Sequence, residues 1–355
     1  MALGATTIVQ VWSTGATTNG GAFVPGQANM ATDLTTDAAT GNTASPVVSS
    51  ATYTFVAADV GHQLFVQAGT DWIPGWYPIA SVAGGKATLS AAVNEAVKYG
   101  TSSIGKNYQR PNGRNTVVGV ATVATPTGGT WSIDYSQSTT VRYAFTDLVI
   151  GADTTQFTSV LIPATPAMVG NTINITSGTG FTVQRVQVTA YTAAGLLATC
   201  DKSLGTTAST GGTGSGGAAI STLAVALGST TAILGLVAGN KIYIKATATY
   251  TLTSTVTITA AVKGDVTSGR ISVEGYTTYP GDRGGRPIIT SATNSTAKFT
   301  LNDNDYWEFV HLNITDTAAT RGGAFTSTTA LSAPVNIKDC IIDGCLILFT
   351  SVTNI

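Results

Sequence analysis

Residues 54–89, TFVAADVGHQLFVQAGTDWIPGWYPIASVAGGKATL, and residues 166–200, PAMVGNTINITSGTGFTVQRVQVTAYTAAGLLATC, carry two versions of one pattern. When the two stretches are aligned, Trp72 falls opposite Phe181, and a Val-Gly pair and a Gly-Thr pair recur in each. In QLFVQA (63–68), Leu64, Val66 and Ala68 recur at every second position, and a two-residue period is typical of a half-buried β-strand. The sequence therefore predicts a duplicated all-β module, a small sandwich or barrel with Trp72 or Phe181 plugging one end.

The duplication extends upstream of these stretches. Gly20–Phe23 matches Gly128–Trp131, and Asp33-Leu34 matches Asp147-Leu148. Residues 203–219, SLGTTASTGGTGSGGAA, interrupt the pattern, and their Gly, Ser and Thr content is typical of a flexible connector. The predicted domains are a first β module at 1–110, a second β module at 111–205, a Gly/Ser/Thr-rich linker at 206–219 and a third segment at 220–355.

Short apolar strands recur throughout the third segment. Examples are RISVEGY (270–276), WEFVHLNIT (307–315) and VNIKDCIID (335–343). Phe309, Leu312 and Ile314 are spaced as Ile337, Cys340 and Ile342 are, 28 residues later. A repeat of this length with two or three short strands in each copy is the signature of a parallel β-solenoid. We expect Asn313 and Asp339 at bends between strands, because Asn and Asp tolerate a left-handed backbone.

This third segment resembles the opening turns of a right-handed parallel β-helix of the pectate-lyase-like superfamily. The resemblance rests on GNKIYIKATATYTLTSTVTI, ISVEGYTTYPGDRGGRPIIT and WEFVHLNIT. The phrase VGNTINITSGTGFT, with TGGTGSGGA after it, resembles modules that precede such helices in phage virion proteins, especially tail spikes and fibres. The resemblance covers roughly residues 50–350 and implies a homotrimer built into a virion. The chain stops at LILFTSVTNI without a polar cap, so we expect a longer protein or a covering subunit.

Composition excludes several classes of function. Charged residues make up 10% of the 355 residues and the net charge is −1, with no basic run, so nucleic-acid binding is not expected. No apolar run is long enough to span a membrane, and the first residues lack a secretion signal. Three cysteines, Cys200, Cys340 and Cys345, are expected to be buried free thiols. Free thiols fit assembly in the reducing cytoplasm of a host cell, and the resemblance implies a final location in the virion.

Candidate catalytic residues are few. Polysaccharide-hydrolysing enzymes need two carboxyl groups about 5 to 9.5 Å apart. Glu308 and Asp339 lie in neighbouring turns and could approach one another, although turn and bend positions explain most acids of this segment equally well. His62 and His311 lie in different modules, so neither a zinc site nor a catalytic triad is expected, and His311 should face outward from a strand.

Two binding sites are conceivable from residue type alone. Asp303, Asp305 and Asp316 could hold Ca²⁺, which takes six to eight oxygen ligands, but their spacing is not that of an EF-hand loop. Trp72, Trp76 and Tyr77 could form a platform for a sugar ring, or equally a core plug or a subunit contact. No cofactor is expected.

Three functions follow from these observations. The favoured one is a structural protein of a bacteriophage virion, most often a tail spike or fibre, that binds other virion proteins and itself and projects a β-helical shaft for host attachment. The second is a tail-spike depolymerase acting on a host surface polysaccharide. The third is a bacterial surface adhesin, which the lack of a visible secretion signal disfavours.

Overall fold

The structure is a computed structural model that describes residues 3–26, 30–41, 43–93, 106–109, 115–118, 125–162, 165–227, 235–258, 262–291, 297–302, 305–316, 322–327, 331 and 333–349. The chain divides into two compact units. The first contains Met1–Val24 together with Ala219–Ile355, and the second contains Pro25–Ala218. We call the second the barrel unit and the first the stacked unit. Nearly all the regular secondary structure of the described residues in both units is β-strand, so the all-β class that the sequence predicts is confirmed.

The barrel unit begins with a closed six-stranded barrel. In spatial order its strands are β10-β3-β4-β7-β6-β5. A short 3-10 turn, Ala57–Asp59, precedes β5, and a two-stranded hairpin of β8 (Lys106–Gln109) and β9 (Asn115–Val118) comes before β10. The barrel strands are β3 (Ala31–Thr36), β4 (Val47–Ser49), β5 (Gln63–Thr70), β6 (Gly75–Ala83), β7 (Lys86–Leu89) and β10 (Thr127–Asp134).

A second closed barrel repeats this arrangement. Its spatial order is β11-β12-β15-β14-β13-β16, which is the order of the first barrel with every strand replaced by its equivalent. Two 3-10 turns, Tyr135–Gln137 and Pro166–Met168, precede β11 and β13. The strands are β11 (Tyr143–Ile150), β12 (Gln156–Thr158), β13 (Thr172–Phe181), β14 (Gln184–Thr192), β15 (Leu197–Cys200) and β16 (Gly205–Gly216).

The duplication also holds for side chains. Asp33 in β3 accepts hydrogen bonds from the Ser50 hydroxyl and the Ala51 amide. Asp147 in β11 accepts the equivalent bonds from Ser159 and Val160. In both barrels an aspartate therefore fixes the loop that leaves the second strand.

The predicted Gly/Ser/Thr-rich linker at 206–219 is wrong, because most of it forms β16 and closes the second barrel. A Cβ atom on Gly212 would lie 2.6 Å from the Leu148 Cβ and 2.7 Å from the Phe181 ring. A Cβ atom on Gly214 would lie 2.2 Å from the Asn174 carbonyl oxygen. Glycine is thus required by close packing inside the barrel, where composition alone indicates flexibility.

The predicted boundary between the modules also moves. β10 belongs to the first barrel because it pairs with β3 and β5. The match of Gly20–Phe23 to Gly128–Trp131 is wrong, since β2 (Ala22–Phe23) lies in the stacked unit. The structural equivalent of Gly128-Gly129 is Gly211-Gly212 in β16. Two short Gly-rich stretches can be aligned on composition alone, and only their strand pairing shows whether they are structurally equivalent.

In the stacked unit, the chain makes four successive passes of three strands. β1 (Ile8–Val11) pairs in parallel with the first strand of the first pass, and β2 pairs antiparallel with β1. Residues 1–24 were assigned to the first module from sequence, but this pairing joins them to the end of the chain. The first pass consists of β17 (Lys241–Lys245), β18 (Thr249–Leu252) and β19 (Val256–Ile258), and the second of β20 (Ile271–Tyr276), β21 (Ile288–Ser291) and β22 (Phe299–Leu301). The third pass consists of β23 (Trp307–Val310), β24 (Asn313–Thr315) and β25 (Gly323–Ser327). The fourth consists of β26 (Asn336–Lys338), β27 (Ile341–Asp343) and β28 (Leu346–Phe349).

Each pass stacks on the one before it. The first strands of the four passes form one sheet, the second strands another and the third strands a third, and all the pairs between passes are parallel. Equivalent residues meet in register, so Val256, Phe299 and Phe325 form a buried column with the two Phe rings 5.5 Å apart. A short helix, α1 (Leu223–Leu227), buries Leu223 and Leu227 against this core and contacts β1 and β19.

The three cysteines are free. Cys200 is buried at the end of β15, as expected, whereas Cys340 and Cys345 are only partly buried. Burial raises the pKa of the Cys340 and Cys345 thiols, so these groups are held in the unreactive protonated form.

Candidate functional site

Glu308 and Asp339, the candidate catalytic pair, are each engaged by other side chains. The Lys338 ammonium lies 2.5 Å from the Glu308 Oε1 atom on the outer face of the first sheet. Asp339 receives the Arg286 guanidinium and lies 2.6 Å from the His311 Nδ1 atom. The hydrogen bond from His311, with those from Arg286, holds the pKa of Asp339 below its usual range. A general acid needs a raised pKa, so this arrangement does not favour glycoside hydrolysis.

His311 lies at a corner between two sheets rather than on a strand, so the expectation that it faces outward from a strand is wrong. Its φ of 57° is left-handed, as is the φ of 50° at Asp339, which occupies the same corner one pass later. The ring is nearly buried, and its Nε2 atom has no hydrogen-bond partner. Asp339 is at a bend as the sequence predicts, whereas Asn313 lies within β24. The hydrogen bond between His311 and Asp339 therefore fastens one corner to the next.

The three candidate calcium ligands have separate environments. Asp316 is buried against Lys298, with the Nζ and Oδ2 atoms 2.8 Å apart, and it also accepts the Gly322 amide. Asp305 lies 3.8 Å from the Lys263 ammonium and accepts the Ala333 amide. Asp303 lies outside the described residues. In the part of the chain that the structure describes, no three His, Cys, Asp or Glu side chains are arranged to hold a metal ion.

Trp72 and Tyr77 belong to the core of the first barrel, and Trp76 is buried beside Phe65, with the two ring centroids 4.5 Å apart. Trp72 packs under Gly69 and Gly129, where added Cβ atoms would lie 2.4 and 3.0 Å from its ring. The Trp76 indole donates a hydrogen bond to Asp134, and the Tyr77 hydroxyl donates to the Ile73 carbonyl oxygen. All three are nearly inaccessible, so their faces pack against protein and offer no platform for a sugar.

A buried polar cluster that sequence reasoning missed joins the two barrels. Asp59, in the turn before β5, accepts hydrogen bonds from the hydroxyls of Tyr53 (2.9 Å) and Tyr135 (3.1 Å). Arg142, just before β11, donates to the same carboxylate at 3.3 Å, and its guanidinium lies over the rings of Tyr135 and Tyr143. The cluster fixes the second barrel to the first through a charge-assisted hydrogen bond.

One signal could have found this cluster. In the aligned copies Asp59 stands where the second copy has Met168, and a charge at an apolar position of a repeat suggests a partner outside the repeat. Burial, with the neighbouring Asp59 carboxylate, raises the pKa of Tyr53, so its hydroxyl remains a donor. Burial also raises the pKa of Tyr135. The cluster is thus built for fixed hydrogen bonding rather than for proton transfer near neutral pH.

A cavity of about 300 Å³ lies in the stacked unit beside β18. One wall is β18 with Thr253 and Ser254, and the other is Ser13 with the residues that lead into α1. Among the residues that the structure describes, seven Ser and Thr side chains and no charged side chain line it. Such a cavity can accept a small uncharged ligand with many hydroxyl groups.

Comparison with family models, with curated proteins and with solved structures finds no match to this chain. Among the described residues, no helix has the length and apolar character needed to cross a membrane.

Proposed function

We propose that this chain is a structural protein of a bacteriophage virion, a tail spike, tail fibre or similar appendage that anchors to the particle and projects a shaft for host attachment. In this proposal the stacked sheets of residues 241–349 wind as a right-handed parallel β-helix, and the two barrels are anchoring or spacing modules. The protein binds itself as a homotrimer and binds other virion proteins.

The observation that carries the proposal is the register-matched stacking of successive passes. Ile242 pairs with Val273 and Val273 with Phe309, so one apolar column runs through three passes. The backbone hydrogen bonds between passes point along the stacking direction, and a force along that direction is shared among three sheets. An element of this kind serves as a stiff rod.

The outer surface of the same sheets supports the proposal. Thr257, Thr300 and Thr326 form a column on the third sheet, and the hydroxyls of Thr300 and Thr326 lie 2.8 Å apart. Hydroxyl groups keep this face hydrated without adding charge, which suits dense assembly of near-neutral copies. A host surface polysaccharide is the proposed receptor, and the hydroxyl-rich cavity beside β18 is a suitable place for a neutral sugar.

The test is electron microscopy of phage particles that carry this gene, labelled with antibody raised against the purified chain. We expect label at a tail, neck or head appendage. Particles without label would overturn the proposal. Incubation of the purified chain with capsular polysaccharide gives a second reading, because release of reducing ends would assign the chain to the depolymerases instead.

A further inference from the structure

The second barrel exposes apolar side chains at one end. Val149, at the end of β11, is 42% exposed, and Val160 and Leu161, just after β12, are 83% and 50% exposed. Leu196, in the turn before β15, is 41% exposed. Val149 pairs with Thr158 and Thr158 with Leu197, so these residues adjoin one row across three neighbouring strands. We call Val149, Val160, Leu161, Leu196 and Leu197 the apolar patch.

The first barrel provides an internal comparison, because it has the same strands in the same register. Thr35 pairs with Ser49 where Val149 pairs with Thr158, and Ala87 pairs with Val48 where Ala198 pairs with Phe157. The residues equivalent to the apolar patch are thus Thr35, Ala51, Thr52, Gly85 and Lys86. Every one of them is small or polar, so the fold itself does not require large apolar side chains here.

The two barrels also differ in charge at two equivalent positions of this end, where the first barrel has charged residues and the second does not. Lys86 of the first barrel forms an ion pair with Asp37 at 3.1 Å. The equivalent residues of the second barrel are Leu197 and Gly151, and a Cβ atom on Gly151 would lie 3.5 Å from a Leu197 methyl group. One barrel therefore has a charged pair where the other has an uncharged glycine and a leucine.

The backbone conformation of Leu196 is a second, independent indication that this surface makes a contact. Its φ is 51°, and the equivalent residue of the first barrel is Gly85, with a φ of 75°. Glycine adopts this left-handed conformation without strain, whereas a leucine does not. Leu196 is strained and exposed at a position that accepts glycine, so the isolated barrel gains nothing from a leucine there. A contact made outside the barrel explains the leucine side chain.

We propose that the apolar patch is the surface through which copies of this chain associate. A second copy is the fitting partner because the whole chain carries a net charge of only −1, so identical copies do not repel one another. The patch itself carries no charge, and contact between two or three copies would bury its five side chains from water. The inference deepens the proposed function, from which it takes the expectation that copies meet in an assembly.

Sedimentation velocity of the full chain at micromolar concentration tests this proposal. The test variant carries the first barrel's residues, Val149→Thr, Val160→Ala, Leu161→Thr, Leu196→Gly and Leu197→Lys. We expect the native chain to be an oligomer and this variant to dissociate at least about 100-fold more readily, the effect of losing a few buried apolar anchors. Val183→Thr is the matched control, because Val183 is 68% exposed at the opposite end of β14; it should leave the assembly unchanged.

The single variant Leu196→Gly separates an interface from a structural role. It should raise the melting temperature of the barrel unit, by relieving strain, and at the same time weaken association. A monomeric native chain, or a five-residue variant that associates normally, would overturn the proposal while leaving antibody labelling of particles unaffected. A variant that associates normally but no longer enters particles would assign the patch to a different virion protein and would equally overturn self-association.

Discussion

Single residues that differ between the two barrels show what each position contributes. His62 is buried before β5, where the second barrel has Asn171. Asn171 satisfies its surroundings without a charge, donating to the Ile133 and Ala167 carbonyl oxygens and accepting the Tyr135 amide. Burial, assisted by the charge of Arg142, lowers the pKa of His62 to about 3. The imidazole is therefore neutral in the folded protein.

The sign of the pH dependence follows from this pKa. The unfolded chain binds a proton near the ordinary histidine value of 6.5, whereas the folded chain binds it only near pH 3. Stability from His62 is thus complete above about pH 6.5 and is lost as the pH falls toward 3. Between pH 7 and pH 4 the loss is about 3 kcal/mol of unfolding free energy.

The variant His62→Asn, which copies the second barrel, should remove most of this acid sensitivity. The measurement is urea unfolding of both proteins at pH 4 and pH 7. Burial raises the pKa of Asp134 to about 6, which gives the opposite trend between about pH 4 and pH 6, so the comparison is made between the two proteins rather than between the two pH values alone. Equal losses in both proteins on acidification would contradict the assignment to His62.

Strand β16 is the element that sequence reasoning could least recover. Eleven of its twelve residues are Gly, Ser or Thr, and such a composition indicates a linker unless the close packing is known. The existence of strands β5, β6, β13 and β14, by contrast, was predictable from their apolar and β-branched residues. Their burial was not, since β5 and β13 are fully buried over their first four residues and mostly exposed beyond them. What the sequence does not encode locally is the closure of each barrel, which brings β16 against β11 and β13.

The packing of β16 gives a direct prediction. Gly212→Ala should lower the unfolding free energy by about 2 kcal/mol, since the new Cβ atom would overlap the Leu148 Cβ and the Phe181 ring. Gly216→Ala is the matched control in the same strand, where the nearest atom is a flexible Ile173 methylene at 3.2 Å. Urea unfolding followed by tryptophan fluorescence measures both. A flexible linker would tolerate the two changes alike.

The buried ion pair between Lys298 and Asp316 links two passes of the stacked unit. Lys298 directly precedes β22 and Asp316 directly follows β24. Lys298→Met should lower the unfolding free energy by about 3–5 kcal/mol, because it leaves a carboxylate buried without its cation. Adding Asp316→Leu to that variant should restore most of the loss. A double variant that is less stable than Lys298→Met alone would contradict this prediction.

At the scale of the whole molecule, the barrel unit is inserted into the stacked unit. The chain leaves after β2 and returns at Ala219, and Ile220 then bridges Val11 in β1. The amide of Ala16 also donates to the Ala219 carbonyl oxygen. The sequence predicts modules that follow one another along the chain. It does not reveal this insertion, because β1 precedes the barrel unit in the chain, its partner β17 follows it, and the sequence does not show that the two strands pair.

Residues 25–218 should therefore fold when expressed alone. We expect a β-rich circular dichroism spectrum and cooperative unfolding, because the core of the two barrels is built from residues of this range. The counterpart, in which a short Gly-Ser segment replaces residues 25–218, should retain the stacked unit. Its failure to fold, with a folded barrel unit, would mean that the stacked unit depends on the insertion.

The candidate sites, like the fold, were predictable from the sequence only in part. Burial of Trp72, Trp76 and Tyr77 was one of the readings that their residue types allowed, and burial of an aromatic plug is consistent with the predicted module. The partners of Glu308 and Asp339 were not foreseeable, since Lys338 and His311 reach them only through the stacking of passes. Residue types indicated which side chains could act, whereas the contacts decided which were already engaged.

A crystal structure of the purified chain tests the central claim most directly. We expect residues 241–349 to form three parallel sheets with Val256, Phe299 and Phe325 in one interior column, and the chain to wind in a right-handed direction. Antiparallel pairing of these strands, or a closed sandwich in which the three residues do not stack, would contradict the proposal that residues 241–349 form a β-helical shaft.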